Sequence, residues 1–164
     1  MGLRGPGAKP KPRESEPGKA RKRPRWQAPG LSRADRVIRF ISSLKVTSGV
    51  HAGRKFRLRD WQLAIIREWY ATDSRGRRTV RTGLLSVARK NGKSGICSAL
   101  ALCHLLGPEQ ERRGQIVVGA SDRDQSGLIF DEVRAFIEDN PDFATECNVQ
   151  RHSKVIEHLP SGSK

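Results

Sequence analysis

The residues of this chain best suited to chemistry are Gly92, Lys93 and Ser94, which follow one apolar run and precede another. A strand, a tight loop ending in Gly-Lys-Ser and a helix together make the usual phosphate cradle of nucleotide-binding proteins. In such a cradle the glycine lets the backbone approach phosphate oxygens, the lysine places its ammonium on the β- and γ-phosphates, and the serine hydroxyl ligates Mg²⁺. The helix N-terminus adds free N–H groups and the positive end of its dipole.

The cradle pattern is imperfect at its start. The usual motif has a glycine five residues before the Gly-Lys pair, and Val87 occupies that position. The residues alone therefore leave two interpretations open, a nucleotide site or a solvated basic turn between two core elements. The crowding of Arg89, Lys90 and Asn91 beside Lys93 favours the nucleotide site.

The composition indicates a polyanionic partner. The 164 residues carry a formal net charge of +15, and 35% of them are hydrophobic. Nucleic acid is the first candidate partner and an anionic membrane surface the second. The longest apolar stretch, 95–107, contains His104 and is too short to span a bilayer.

Neither the cysteines nor the histidines show the spacing of a metal site or a disulfide. The basic N-terminus has no apolar core after it, so we expect no signal peptide. Cys97 and Cys103 lie in an apolar segment, and we expect both to be small core residues in a reducing compartment.

Residues 1–30 are predicted to form a disordered basic arm. The first 25 residues include nine Lys or Arg and two Glu, with Pro and Gly throughout, and such a composition cannot build a core. A tether to nucleic acid or a partner, and a solubilising tail without a specific role, are both compatible with it. Trp26 is its only large apolar group and is expected to dock on the domain that residues 31–164 form.

Within that domain, periodicity predicts helices and strands in alternation. Ser32 is the expected N-cap of the first helix and Asp60 that of the second, whose face is formed by Trp61, Ile65 and Trp69. Ser121 or Asp122 is the expected cap of the last helix. The predicted elements are helix 32–45, a loop or hairpin at 47–53, helix 60–70, strand 79–88, helix 94–106, strand 115–120, a helix ending at Asn140-Pro141, and a weaker strand at 149–159.

The order of these elements predicts an α/β fold, a parallel sheet flanked by helices with right-handed crossovers. Nucleotide would bind at the carboxyl ends of the strands. Gln62, in the first turn of the second helix, could make a bidentate contact with adenine. An ordinary surface glutamine is the alternative.

Three segments together resemble the large terminase subunit of tailed bacteriophages. They are 58–62 (Leu-Arg-Asp-Trp-Gln), 88–94 (Ala-Arg-Lys-Asn-Gly-Lys-Ser) and 119–125 (Gly-Ala-Ser-Asp-Arg-Asp-Gln), and the resemblance covers about residues 35–164. It implies a P-loop NTPase fold and an ATPase that drives double-stranded DNA into the procapsid. The family tolerates a relaxed first loop position, which accounts for Val87.

The resemblance also implies roles for single residues. Gln62 matches the adenine-sensing glutamine, Lys93 the phosphate-binding catalytic lysine and Ser94 the Mg²⁺ ligand. Arg89 matches a basic residue proposed to act as an arginine finger in cis. The implied ATP-binding loop comprises Ala88, Arg89, Lys90, Asn91, Gly92, Lys93 and Ser94.

The implied cofactors are ATP and Mg²⁺, and the implied partners are double-stranded DNA, a portal protein and a small terminase subunit. Full-length members work as a homo-oligomeric ring in the host cytoplasm, at the portal vertex of the procapsid, and not in a membrane.

The family's acidic pair and its C-terminal nuclease domain are expected beyond residue 164. The chain thus resembles an incomplete ATPase domain, and we expect weak ATP binding, very slow hydrolysis and marginal stability. Two alternatives remain: a helicase-like P-loop ATPase, and a non-catalytic basic DNA-binding fragment.

Overall fold

The computed structural model describes residues 24–121 and 123–164. These ranges contain five α-helices, one two-stranded antiparallel sheet and two short 3₁₀ turns at Arg25–Gln27 and Gly49–His51. The helices and strands are α1 (Arg33–Ile41), α2 (Asp60–Trp69), α3 (Lys93–Leu105), α4 (Arg123–Glu138), α5 (Pro141–Glu146), β1 (Cys147–Gln150) and β2 (Val155–His158).

Helix α3 is the centre of the core because it contacts both α1 and α4. Its sequence is apolar nearly all round, as a helix enclosed by other elements requires. The side chains of Ile96, Ala99, Leu102 and Cys103 are at most 1% exposed. The helix that carries the phosphate-loop lysine at its first residue is therefore the most enclosed element near that loop.

Helix α1 confirms two sequence predictions. Ser32 is its N-cap, and the Ser32 hydroxyl accepts a hydrogen bond from the Asp35 N–H at 3.1 Å. Trp26 packs edge-on against Phe40 with 5.1 Å between ring centroids. Residues 1–23 lie outside the described residues, so the basic arm remains a prediction.

The buried face of α2 is shifted by one residue from the predicted one. Gln62, Ile66 and Tyr70 are the buried positions, with 3%, 0% and 4% exposure, whereas Trp61, Ile65 and Trp69 are only half-buried. The N-cap position is Arg59 rather than Asp60. The predicted face was wrong because bulky side chains such as those of Trp61 and Trp69 can cover the edge of a core without entering it.

The predicted parallel sheet is not formed within the described residues. Segments 82–88 and 114–120 run without turn or bend but belong to no ladder, and the only sheet there is the antiparallel β1–β2 pair. The exposure of 84–88 still alternates as in a strand with one covered face, since Leu85 and Val87 are half-buried and Leu84 is 94% exposed, whereas 117–120 are exposed throughout. Neither segment belongs to a sheet, although the Ile116 N–H donates to the Lys164 carbonyl at 2.7 Å and the Lys164 N–H to the Gly114 carbonyl at 2.9 Å.

The C-terminal part differs from prediction in two ways. The single strand expected at 149–159 is a hairpin, in which Cys147 pairs with His158 and Gln150 with Val155. Asn140 and Pro141, predicted only to end a helix, also begin α5, and the Asn140 side chain accepts a hydrogen bond from the Asp142 N–H. Proline fits this first helical position because it has no N–H to leave unpaired.

The two cysteines of α3 differ in environment. Cys103 is fully buried as expected, but Cys97 is exposed, because even a central helix presents one side outward near its N-terminus. In the described ranges, no helix has both the length and the apolar character that crossing a bilayer requires.

Candidate functional site

The loop before α3 has the backbone shape of an anion-binding turn. Lys90 and Gly92 have φ angles of 65° and 76°, both in the left-handed region. Gly92 is also the N-cap of α3, and glycine occupies this region without the steric cost that other residues incur. The loop thus turns sharply enough to direct the first N–H groups of α3 out of the protein.

Asn91 stabilises the loop through two side-chain hydrogen bonds. Its Nδ2 donates to the Ala88 carbonyl at 3.3 Å, across the loop. Its Oδ1 accepts from Arg59 Nη1 at 3.2 Å, which ties the loop to the start of α2. No sequence prediction named Arg59, although its place three residues before Gln62, at the start of a helix, was a usable signal.

Lys93 and Ser94 are both exposed at the mouth of the loop. Lys93 Nζ donates to the Val87 carbonyl at 3.3 Å, and among the described residues it forms no ion pair with a carboxylate. The ammonium therefore lies across the loop against a neutral acceptor, which a phosphate oxygen could replace.

The start of α3 supplies further donors. The first intrahelical bond of this helix runs from the Ile96 N–H to the Gly92 carbonyl at 3.1 Å. The preceding N–H groups, from Lys93 to Gly95, have no backbone partner within the described part of the chain, as is normal for a helix N-terminus. With the helix dipole, they make this end favourable for a phosphate group.

Gln62 lies directly behind the loop. Its Oε1 accepts a hydrogen bond from the Arg59 N–H at 2.9 Å. A Cβ on Gly92 would lie 3.6 Å from Gln62 Nε2, so the amide lies next to the turn of the loop. With 3% exposure, Gln62 is not the surface residue that the sequence left open as an alternative.

The residues fit a Mg²⁺–triphosphate group by their donor chemistry. The loop offers backbone N–H groups, the Lys93 ammonium and the exposed cations Arg89 and Lys90. The described residues hold no cluster of three or more His, Cys, Asp or Glu suited to a metal ion. A magnesium ion here would depend on Ser94, phosphate oxygens and water, as is common for this cation.

Comparison with known proteins identifies the family of the chain. A family model described as the terminase large subunit, ATPase domain, matches residues 60–159. The large terminase subunit of Enterobacteria phage HK97 is 32% identical over 139 residues, which is 82% of this chain and 24% of the phage protein. The crystal structure of the HK97 large terminase matches with a TM-score of 0.69 and 31% identity, over 81% of this chain and 26% of that one.

The chain spans about a quarter of the length of these relatives. The matched region contains α2, the phosphate loop and α3, all of which shape the candidate site. The chain therefore belongs to the family of the terminase large-subunit ATPase domain.

Proposed function

We propose that this chain binds ATP and Mg²⁺ at the loop 88–94 and is the nucleotide-binding part of a phage DNA-packaging motor. The observation that carries the proposal is the left-handed Gly92 followed at once by Lys93 at the N-terminus of α3. This arrangement presents backbone N–H groups and an ammonium to the same point in space. Membership of an ATPase-domain family supports ATP as the nucleotide.

Each residue of the loop has a proposed role. Lys93 moves from the Val87 carbonyl to the β- and γ-phosphates, and the Ser94 hydroxyl joins the Mg²⁺ shell. Arg89 stabilises the charge that develops on the γ-phosphate, as an arginine finger supplied in cis. Its exposed position in the turn leaves the guanidinium room to reach a bound phosphate.

The activity of the whole motor is proposed from the family. In that proposal ATP hydrolysis drives double-stranded DNA into a procapsid, in the host cytoplasm and at the portal vertex. The portal protein and a small terminase subunit are the protein partners, and several copies form a ring. We also propose that segments 79–88 and 115–120 are strands of a parallel sheet once each has a neighbouring strand.

ATP turnover by the 164-residue chain tests the catalytic side of the proposal. The described residues place no carboxylate in contact with Lys93 or Arg89, so no group is positioned there to orient an attacking water. We expect the chain to bind ATP and to release radiolabelled phosphate far more slowly than a full-length terminase. Turnover equal to that of a full-length terminase would contradict this expectation.

A further inference from the structure

A cleft with three positive side chains lies beside the C-terminal end of α1. It encloses about 430 Å³, and its walls are formed by Arg25, Trp26, Arg39, Ser42, Ser43 and Lys55. The three cations, Arg25, Arg39 and Lys55, are exposed, and within the described ranges none of them forms an ion pair. Because no carboxylate is among these wall residues, the basic cleft has no local counter-ion.

The elements that carry these cations are fixed to one another. Trp26 packs edge-on against Phe40, with 5.1 Å between the ring centroids, and this contact holds the first 3₁₀ turn against α1. The Phe56 N–H donates to the Leu44 carbonyl at 2.9 Å, which ties the segment of Lys55 to the residues just after α1. Packing and backbone hydrogen bonds therefore bring the three positive charges to one place.

Two further features make an anion favourable in the basic cleft. Lys55 lies opposite Lys45 across a β-bridge, and like charges directly opposite each other repel. The Ser42 hydroxyl has no hydrogen-bond partner among the described residues and can donate to an anion. The negative end of the α1 dipole explains Arg39, in the last turn of the helix, but it does not explain Arg25, which lies on a separate element.

The donors of the basic cleft suit phosphate groups. A guanidinium can donate two parallel N–H bonds to one phosphate, and an ammonium acts as a point charge. The sequence that leads into the cleft, residues 19–25, contains five Lys or Arg. A run of cations continuous with the cleft favours a polymer with repeating phosphates over a single free phosphate.

We propose that the basic cleft is a second phosphate site, which shares no residue with the loop 88–94 and binds the backbone of double-stranded DNA. Arg25 and Arg39 donate to phosphate oxygens, Lys55 supplies a point charge beside them, and the Ser42 hydroxyl donates a further hydrogen bond. Such contacts hold the duplex in place and carry no sequence information. The choice of DNA as the source of the phosphates rests on the proposed function, whereas the site rests on the cleft.

The test compares two variants of the full chain that lose the same charge. The cleft variant, Arg39→Gln/Lys55→Gln, loses two cations of the cleft, and the control variant, Arg67→Gln/Arg112→Gln, loses two exposed cations outside it. Fluorescence anisotropy measures the affinity of each for a duplex of about 30 base pairs between 50 and 200 mM salt. The measurement is made without nucleotide, so the outcome does not depend on ATP binding. Equal thermal unfolding of both variants and the wild-type chain establishes that all three are folded.

We expect the slope of log affinity against log salt to become shallower by about 1.8 in the cleft variant, because two phosphate contacts are lost. The control variant should keep the wild-type slope, and so should the charge-preserving Arg39→Lys/Lys55→Arg. Equal slopes in the cleft and control variants, with DNA bound by the wild-type chain, would overturn the cleft site and leave the proposed DNA partner standing. A wild-type chain that binds no DNA would overturn both.

Inorganic phosphate and anionic vesicles separate the other sources of phosphate. Calorimetric titration of inorganic phosphate and co-sedimentation with phosphatidylserine vesicles are carried out on the same two variants. We expect DNA to be the ligand whose binding distinguishes the cleft variant from the control. Binding of phosphate or vesicles that the cleft variant alone loses, while its DNA slope equals that of the control, would overturn DNA as the ligand.

Discussion

At the scale of single residues, the candidate site depends on the hydrogen bonds that position Lys93 and Gln62. Lys93 lies across the loop on a carbonyl, 3.3 Å away, and this weak contact can be exchanged for a phosphate oxygen. Gln62 is held by a shorter hydrogen bond, since its oxygen accepts from the Arg59 N–H at 2.9 Å at the start of α2, and its amide lies next to Gly92. The adenine contact that the family implies for Gln62 would require its oxygen to leave the Arg59 N–H.

We therefore predict that Gln62→Ala lowers nucleotide affinity by disturbing the loop and not by removing a contact with the base. Losing a buried polar side chain that caps a helix should lower the free energy of unfolding by about 1–3 kcal/mol. Affinity for ATP and for GTP should fall together, since both nucleotides carry the same triphosphate. Urea unfolding and nucleotide titrations check this, with the exposed Gln110→Ala as control. A loss confined to ATP would instead establish the adenine contact.

At the scale of elements, one ion pair ties α1 to the connection that follows α3. Arg33 Nη2 and Nε both lie within 3.0 Å of the Glu109 carboxylate, whose side chain is 3% exposed. The bond to Glu109 raises the pKa of Arg33 above its ordinary value, so the guanidinium keeps its charge across the physiological range. The pair fixes the start of α1 against the end of the helix that carries the phosphate loop.

We expect Arg33→Ala to be clearly destabilising because it leaves the Glu109 carboxylate buried without its partner. The loss should be about 1–3 kcal/mol, below the value for a fully buried pair since Arg33 is 35% exposed. Arg36→Ala, an exposed residue on the same helix, is the matched control and should change little. Equal denaturant midpoints for both variants would show that the pair contributes nothing.

Local sequence patterns predicted most helices and the phosphate loop well. The Ser32 cap and the extent of α3 are confirmed. The buried face of α2 was wrong by one residue because a core glutamine is invisible to a hydrophobic pattern. The predicted parallel pairing of 79–88 and 115–120 is not formed within the described residues. Pairing depends on residues distant in sequence, about which periodicity carries no information.

At the scale of the whole molecule, charge is the dominant property. The formal net charge is +15, and the phosphate loop adds Arg89 and Lys90 as exposed cations without a described ion pair. A chain with this balance attracts polyanions from a distance, and ions in solution screen that attraction.

We predict salt-sensitive binding of double-stranded DNA by the complete chain. Affinity for a 30-base-pair duplex should fall at least about tenfold between 50 and 200 mM salt, because cations that neutralise phosphates release counterions. Two duplexes of unrelated sequence should bind alike, since phosphate contacts carry no sequence information. Fluorescence anisotropy checks both points. Affinity that does not change with salt would contradict the prediction.

The central claim is that the loop 88–94 binds the phosphates of ATP, and calorimetric titration of ATP–Mg²⁺ into the purified chain tests it most directly. We predict saturable binding to the wild-type chain and to Lys45→Ala, which removes an equally charged but remote exposed lysine. Lys93→Ala should lower the affinity at least about tenfold, since it removes a charge-assisted contact worth about 1.5–3 kcal/mol, while its thermal unfolding stays unchanged. Equal affinity in the wild-type and Lys93→Ala chains, or no binding by either, would contradict the account.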